Sequence, residues 1–180
     1  PGTFDNNKES ITICRDYSCI RNGSEHNTYM NAVGWTAGGG ISNFFERPRW
    51  QNEAANSYFN SKVVKPNASL YNSKGRLYPD VSLVAHNYLV IIGGQYTPVD
   101  GTSASAPAFS GMISRLNGLR KSLGKPVLGS VNQLLYSMYA KCDACFIDLV
   151  TGSNNATEYL GTDNCEYGYT ATSGYDPVYG

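Results

Sequence analysis

The sequence predicts an α/β fold, in which strands and helices alternate along the chain. Two short β-forming runs, residues 88–92 and 95–99, flank a Gly-Gly pair and predict a hairpin. From Ala104 onward the apolar residues recur at helical spacing, and a second helical segment follows near residue 130. With 180 residues, the chain is long enough for one domain with a sizeable core.

The first half of the chain supplies three predicted elements before the hairpin. After a polar N-terminal stretch, residues 29–36 are predicted to form a short strand, which the glycines at 38–40 close. A short helix is predicted over 53–59, and a polar loop over 60–75. Residues 77–85 are predicted to form a buried strand that leads into the hairpin.

Two helices are predicted after the hairpin. The first begins near Ala104, carries Pro107 in its first turn, where a missing N–H costs little, and ends at Gly124. The second runs from about Ser130, as its N-cap, to Tyr139. The remaining C-terminal residues are predicted to be loop.

The charge balance and hydropathy exclude two classes of function. The chain has 14 basic and 14 acidic side chains, a net charge of zero and no charge run, whereas a nucleic-acid binder usually carries a basic face. The best apolar run, residues 88–92, is far shorter than the roughly 18 residues of a membrane span. We therefore expect neither a nucleic-acid partner nor a membrane span.

Glycosylation motifs and cysteines indicate the secretory pathway. Sequons without proline in the middle position begin at Asn22, Asn67 and Asn155, which are the predicted glycosylation sites. The chain also has five cysteines, an odd number, and it starts at Pro1, as a processed piece would. The alternative is that the sequons are accidental matches in an intracellular protein.

The sharpest feature is the sequence Asp-Gly-Thr-Ser-Ala-Ser-Ala-Pro at residues 100–107, where a strand ends and an apolar helix begins at once. Ser103 is therefore predicted to lie at a helix N-terminus. There, free backbone N–H groups and the positive end of the helix dipole can stabilise a developing oxyanion. Small residues on either side leave room for a peptide substrate. The alternative is an ordinary helix start that a hydroxyl side chain caps.

The string at 101–107 resembles the nucleophile motif of the sedolisins, the serine-carboxyl peptidases. Subtilisins share a shorter Gly-Thr-Ser-x-x-x-Pro, but two upstream segments separate the families. Residues 38–45 are similar to the sedolisin Gly-Gly-Gly-x-Ser-x-x-Phe, and residues 75–81 to its Gly-Arg-x-x-Pro-Asp-Val. The resemblance implies a subtilisin-like parallel sheet flanked by helices. It also implies a substrate-binding role for Gly38, Gly39, Gly40, Gly101 and Thr102.

The resemblance implies an acid-active peptidase with a Ser-Glu-Asp triad and a further Asp in the oxyanion hole. Of these residues, only the nucleophile Ser103 can be placed on this chain. The acidic residues before the three glycines lie in a polar loop without a matching motif; they are Asp5, Glu9, Asp16 and Glu25. Residues 1–180 are therefore expected to be the C-terminal, light-chain part of a single catalytic domain, with an upstream heavy chain as partner and a peptide or protein as substrate.

Two other functions stay open at this point. The absent Glu and Asp favour a non-catalytic, calcium-stabilised homologue or binding module. A subtilisin-like neutral peptidase would instead need an upstream His. His26 and His86 match no catalytic pattern and are expected to have surface or structural roles. An acid-active enzyme with sequons is expected in a lysosome or acidic vesicle, or outside the cell.

A calcium site is implied near the C-terminus, because residues 147–152 and 172–178 resemble the calcium-binding segments of the family. Ca²⁺ takes six to eight oxygen ligands and accepts a mixture of carboxylates and backbone carbonyls. Thr172 stands where the family usually has Gly, and a carbonyl ligand survives that change. The implied ligands are Asp148, Leu149, Thr172, Gly174 and Asp176.

The cysteines are expected to form disulfides. The pattern Cys142-x-x-Cys145 could indicate zinc or a redox motif, but no second ligand pair accompanies it and sequons are nearby. We expect Cys165 to join one of these two cysteines, and Cys14 to pair with Cys19. One cysteine then remains, which we expect to bridge to the upstream chain.

Overall fold

The computed structural model describes residues 36–86, 88–142, 145–155 and 167–180. These residues form four strands and three α-helices, with 3₁₀ turns at Arg49–Gln51 and Ala68–Leu70. The elements are β1 Gly40–Glu46, α1 Asn52–Asn60, β2 Gly75–Tyr78, β3 Tyr88–Ile92, β4 Gln95–Val99, α2 Thr102–Ser122 and α3 Asn132–Tyr139.

The chain divides into two compact units, which are described separately. The hairpin–helix unit contains the described residues between 83 and 132, with β3, β4 and α2. The core unit contains the described residues up to 82 and from 133 onward, with β1, α1, β2 and most of α3.

In the core unit, β1 and β2 form an antiparallel pair with an irregularity in its register. Ile41 lies opposite Leu77, and both are buried. Gly75 has no room for a side chain, since a Cβ there would lie 1.9 Å from the carbonyl oxygen of Ser42. The Ser42 hydroxyl accepts hydrogen bonds from the backbone N–H groups of Phe44 and Phe45, which shapes the strand beyond the glycine motif.

Helix α1 supplies the apolar face that closes this core. Ala55 and Tyr58, three positions apart, point to the same side of the helix and are fully buried. They pack with Ile41, Leu77 and Tyr175. The short helix predicted over 53–59 is thereby confirmed, with one more residue at each end.

Gln51, just before α1, is buried in the core, and its side chain forms hydrogen bonds with the backbone of Leu77 in β2. Its side-chain amide donates to the Leu77 carbonyl (2.8 Å) and to the Tyr136 hydroxyl (2.7 Å), and it accepts from the Leu77 N–H (2.9 Å). Burial raises the pKa of Tyr136, so its hydroxyl stays protonated and donates to Asp80 (2.9 Å). Asp80 also pairs with Arg76. The Gly-Arg-x-x-Pro-Asp motif therefore has a structural role in this core.

We expect Gln51→Ala to cost about 3 kcal/mol of unfolding free energy, because it leaves the Leu77 N–H unpaired, removes one of the two donors to the Leu77 carbonyl and opens a cavity. Asn56→Ala, at an exposed position of α1, is the control and should change stability by less than about 0.5 kcal/mol. Urea denaturation measures both, with the slope unchanged. Equal midpoints for the two variants would show that the Gln51 contacts do not stabilise the core.

The hairpin–helix unit follows the sequence prediction closely. Strands β3 and β4 pair antiparallel from Tyr88–Val99 to Ile92–Gln95, around the predicted Gly-Gly turn. Helix α2 ends shortly before Gly124, whose φ of +69° suits glycine. It begins at Thr102, two residues earlier than predicted. Pro107 is therefore its sixth residue and lies beyond the first turn, where it cannot donate to the Ser103 carbonyl.

The structure corrects three further predictions. Strand β2 ends at Tyr78, because Pro79 has no N–H for a strand ladder, and residues 79–85 have no regular secondary structure. Helix α3 begins at Asn132; Ser130 instead donates its hydroxyl to the Asn132 side chain (3.2 Å). Both strand pairs among the described residues are antiparallel, so the described part of the chain contains no parallel sheet.

Two further expectations concern the N-terminal strand and membrane spans. The predicted strand over 29–36 lies almost wholly outside the described residues. None of the helices in the described part of the chain is both long and apolar enough to cross a membrane.

Candidate functional site

Ser103 is the second residue of α2 and is exposed. The turn before it depends on Gly101, whose φ of +132° and ψ of 151° are open to glycine and strained for other residues. The Gly101 N–H donates to the Ala85 carbonyl (2.7 Å), which ties the turn to the segment before β3. Ser103 thus stands at a helix N-terminus, with its backbone N–H among those that have no partner within the helix.

A hollow of about 420 Å³ adjoins Ser103. Its wall is mostly apolar, with Asp100 as its charged residue. The lining residues are Tyr88, Val90, Val99, Asp100, Ser103, Ala104, Pro107 and Ala108. Of the residues predicted to contact substrate in this unit, Gly101 shapes the turn and Thr102 is exposed, but neither lines the hollow.

Two polar contacts at this turn were not predicted from the sequence. His86 Nδ1 lies 2.9 Å from Asp100 Oδ2; His86 is half-buried and Asp100 is exposed. The Ser105 hydroxyl lies within hydrogen-bond distance of the carbonyls of Leu83 (3.2 Å) and Val84 (2.9 Å). The only signal in the sequence was that Asp100 and Ser105 flank the nucleophile motif; nothing there linked them to residues 83–86.

The three glycines of the upstream motif lie in the core unit, where two of them have packing partners. A Cβ on Gly39 would lie 1.9 Å from the Pro177 carbonyl oxygen, and one on Gly40 would touch the Tyr78 hydroxyl at 3.4 Å. The Asn154 amide donates to the carbonyls of Gly39 and Pro177, both at 3.2 Å. Close approach to protein backbone accounts for Gly39. A Cβ on Gly38 would meet no heavy atom of the described residues within 4 Å.

The predicted calcium ligands belong to the core unit. Asp176 is 1% exposed and accepts backbone N–H groups from Thr172, Val178 and Tyr179, each at 2.9 Å. Burial raises the pKa of its carboxyl to about 6, and the charge of Asp148 contributes to this rise, against the backbone donors, which lower it. A second carboxylate is therefore close enough to Asp176 to repel it.

Asp148 contacts the segment that contains Gly174, another predicted calcium ligand. Its Oδ2 accepts from the Gly174 N–H (2.8 Å) and from the Ser173 hydroxyl (3.4 Å), and Gly174 has a φ of +81°. Within the described residues there is no cluster of three or more His, Cys, Asp or Glu side chains that could hold a metal. A metal here would need backbone carbonyls beside the two carboxylates, a donor mixture that fits Ca²⁺.

The predicted glycosylation sites differ in their surroundings. Asn67 is exposed, and its side-chain oxygen accepts from the Ser69 N–H and hydroxyl, both at 3.0 Å. Asn155 is partly buried and accepts from the Ser153 hydroxyl (2.8 Å). Asn22 lies outside the described residues. Attachment of glycans at all three stays a prediction.

Cys142 and Cys145 form a disulfide with each other. The prediction that Cys165 joins one of them is therefore wrong. A short Cys-x-x-Cys loop brought these two Cα atoms within 5.4 Å, a distance typical of disulfides. Cys14, Cys19 and Cys165 lie outside the described residues, so the other pairings stay predictions.

Comparisons with known proteins identify relatives over most of the chain. No family model matches. Physarolisin of Physarum polycephalum is 40% identical over 93% of this chain and 29% of its own length. Human tripeptidyl-peptidase 1 is 36% identical over 82% of this chain and 26% of its own length. The chain thus spans less than a third of the length of these relatives.

A solved structure extends the comparison to three dimensions. It is Pseudomonas sedolisin, a serine-carboxyl proteinase, complexed with two molecules of pseudo-iodotyrostatin. The match has a TM-score of 0.58 and 26% sequence identity, and it covers 87% of this chain and 36% of that one. The likeness supports an α/β fold of the subtilisin-like kind.

Proposed function

Because the chain belongs to the sedolisin family of serine-carboxyl peptidases, we propose that residues 1–180 form the C-terminal part of one acid-active catalytic domain that hydrolyses peptide bonds. The observation that carries the proposal is Ser103, exposed at the N-terminus of α2 and beside a largely apolar hollow. Tripeptidyl peptidases among the relatives support a peptide substrate. Both endopeptidase and tripeptidyl-peptidase activity are compatible with this proposal.

In the proposed mechanism, the Ser103 hydroxyl oxygen attacks the scissile carbonyl while its proton passes to a Glu of the upstream chain. The Ser103 N–H and a protonated upstream Asp stabilise the oxyanion. The Glu then protonates the leaving amine, and an acyl-enzyme forms. Water then attacks the acyl carbonyl while the Glu takes its proton; the ester bond to the Ser103 oxygen breaks, the Glu returns the proton to that oxygen, and the carboxylic acid product leaves. Gly101 and Thr102, next to Ser103, are proposed to contact the substrate backbone; a substrate contact at Gly38, Gly39 and Gly40 stays a prediction.

The remaining catalytic groups are proposed to come from an upstream heavy chain of the same precursor. The short span of this chain relative to its relatives supports that proposal. The same chain would supply strands for the proposed parallel sheet, and a cysteine of this chain would join the two covalently. The sequons support passage through the secretory pathway to a lysosome, an acidic vesicle or the exterior.

Calcium is proposed to bind between the 148–149 and 172–176 segments, through Asp148, Asp176 and the carbonyls of Leu149, Thr172 and Gly174. The buried, raised-pKa carboxyl of Asp176 beside a second carboxylate supports this, because a cation would offset both desolvation and repulsion. The ion would hold two C-terminal loop segments together, a stabilising role outside the chemical steps.

A second candidate is a non-catalytic, calcium-stabilised homologue. It is favoured by the lack of any acidic motif to which the Glu and Asp roles could be assigned on this chain. A subtilisin-like neutral peptidase is the other alternative. The pH profile and the composition of the native protein separate these candidates.

We expect peptide hydrolysis by the assembled protein to be maximal at acid pH and to fade towards neutrality. A carboxylate base works near its own pKa, and a carboxylic acid in the oxyanion hole must stay protonated to donate. Initial rates on peptide substrates at pH values from about 3 to about 8 measure this. A maximum above about pH 7 would indicate a His base and contradict the proposal.

We also expect the native protein to contain two chains. Mass spectrometry without reducing agent should show a species heavier than this chain, which reduction splits into two. A single 19.6 kDa species, glycans aside, would rule out the covalent heavy chain.

A further inference from the structure

We propose that His86 and Asp100 are positioning residues for the nucleophile, through the contact between His86 Nδ1 and Asp100 Oδ2. This inference rests on the proposed function, since it assigns a role to residues that hold Ser103. Neither residue is proposed to touch the reacting atoms. Their effect is on the orientation of the turn at residues 100–103.

The turn is held to the segment before β3 at three successive points. The Ser105 hydroxyl meets the carbonyls of Leu83 and Val84. The Gly101 N–H donates to the Ala85 carbonyl at 2.7 Å. His86 and Asp100 close the series at 2.9 Å. The segment 83–86 therefore runs antiparallel to residues 100–105 and contacts the turn on both sides of Ser103.

The conformation of Gly101 explains why the contact between His86 and Asp100 would matter for the turn. Glycine has the widest backbone freedom of all residues, and here it adopts a φ of +132° directly before the helix. Ser105 restrains the helix side of the turn, while His86 restrains the strand side through Asp100. Towards an ionised carboxylate, which only accepts hydrogen bonds, Nδ1 of His86 can act as the donor. The pair fixes the residue next to the flexible glycine.

A second consequence concerns the hollow, because Asp100 and Ser103 both line it. The contact with His86 holds the carboxyl group of Asp100 in one orientation at the edge of the hollow. Small displacements at a nucleophile have large effects on rate, since a misplacement of about 1 Å can lower a rate about a hundredfold. We therefore assign the pair an effect on kcat and little effect on KM.

The test uses two conservative variants of His86 in the assembled two-chain enzyme. In His86→Asn, the amide nitrogen takes the place of Nδ1 and can still donate to Asp100. In His86→Gln, the amide reaches the place of Nε2 and cannot occupy the Nδ1 position. We expect His86→Asn to keep kcat within about threefold of wild type, and His86→Gln to lower it about tenfold or more with KM within about twofold.

Asp100→Ala and the double variant with His86→Gln complete the design. We expect Asp100→Ala to lower kcat as much as His86→Gln does, and the double variant to be no worse than either, because both remove the contact between His86 and Asp100. Additive losses would overturn the pairing. Equal kcat for the Asn and Gln variants, or a change in KM alone, would overturn the positioning role.

Two controls separate this inference from the proposed function and from a loss of folding. Asn117 lies about 21 Å from Ser103 along α2, and its side-chain oxygen accepts a hydrogen bond from the Leu128 N–H (2.8 Å). Asn117→Ala removes this hydrogen bond and should leave kcat unchanged. Full activity of Ser103→Ala would defeat the proposed function itself. Inactive Ser103→Ala with a wild-type-like His86→Gln would defeat the positioning role alone. Thermal melts confirm that each compared variant is folded.

Discussion

Ser103→Ala is expected to lower kcat for peptide cleavage in the assembled enzyme by about four orders of magnitude or more. Without the hydroxyl no acyl-enzyme can form, and the loss of a serine nucleophile removes the benefit of the whole triad. Ser103 is exposed, so stability should change by less than about 0.5 kcal/mol. Single-turnover kinetics and a thermal melt measure both effects.

Ser110→Ala is the matched control for this prediction. Ser110 is an exposed serine on the same helix, and its hydroxyl donates to the Ala106 carbonyl within α2 (3.0 Å). It should retain full activity. Residual activity of Ser103→Ala close to that of Ser110→Ala would refute the nucleophile assignment.

The second large effect is expected at Asp176. Asp176→Ala removes the acceptor of three backbone N–H groups in a buried loop, and we expect a loss of about 3 kcal/mol or more of unfolding free energy. This loss should appear in EDTA as well as in calcium, because the hydrogen bonds do not need the metal. Chemical denaturation in both buffers measures it.

Asp148→Asn isolates the contribution of calcium. The amide oxygen can still accept from the Gly174 N–H, but the charge is gone, so stability in EDTA should change little. Calcium at about 100 times its Kd stabilises a wild-type site by about 2.7 kcal/mol, and the variant should lose most of this gain. Glu53→Gln, an exposed acidic position on α1, is the control and should keep it. An undiminished calcium response in Asp148→Asn would place the metal elsewhere.

Local pattern was sufficient for the hairpin and for most of the extent of α1 and α2. Each of these elements depends on residues a few positions apart: the Gly-Gly turn between β3 and β4, and apolar residues at helical spacing. The predicted start of α2 was two residues late, since the helix includes small residues that add nothing to an apolar pattern. Strand β1 was not predicted, because most of its residues are exposed and their partners in β2 lie 29 to 38 residues further along the chain.

The candidate active site was predictable in part. The position of Ser103 at a helix N-terminus followed from the local sequence. The contact between His86 and Asp100 could not be predicted in this way. The hairpin brings the two residues together, and no local sequence pattern links them. The disulfide between Cys142 and Cys145 was likewise missed in favour of a partner at Cys165. Cysteine count alone leaves the pairing open.

The sequence by itself thus determined the α/β class, the family and the serine at the strand-to-helix junction, all from short motifs and local periodicity. Tertiary structure alone decided that Gln51 pairs with Leu77, that Gly39 packs on Pro177, and that Asp176 is buried. The physical reason is distance along the chain. Such contacts form only when the chain between the partners folds back. No local sequence pattern therefore indicates which residues become buried or pack closely against distant backbone.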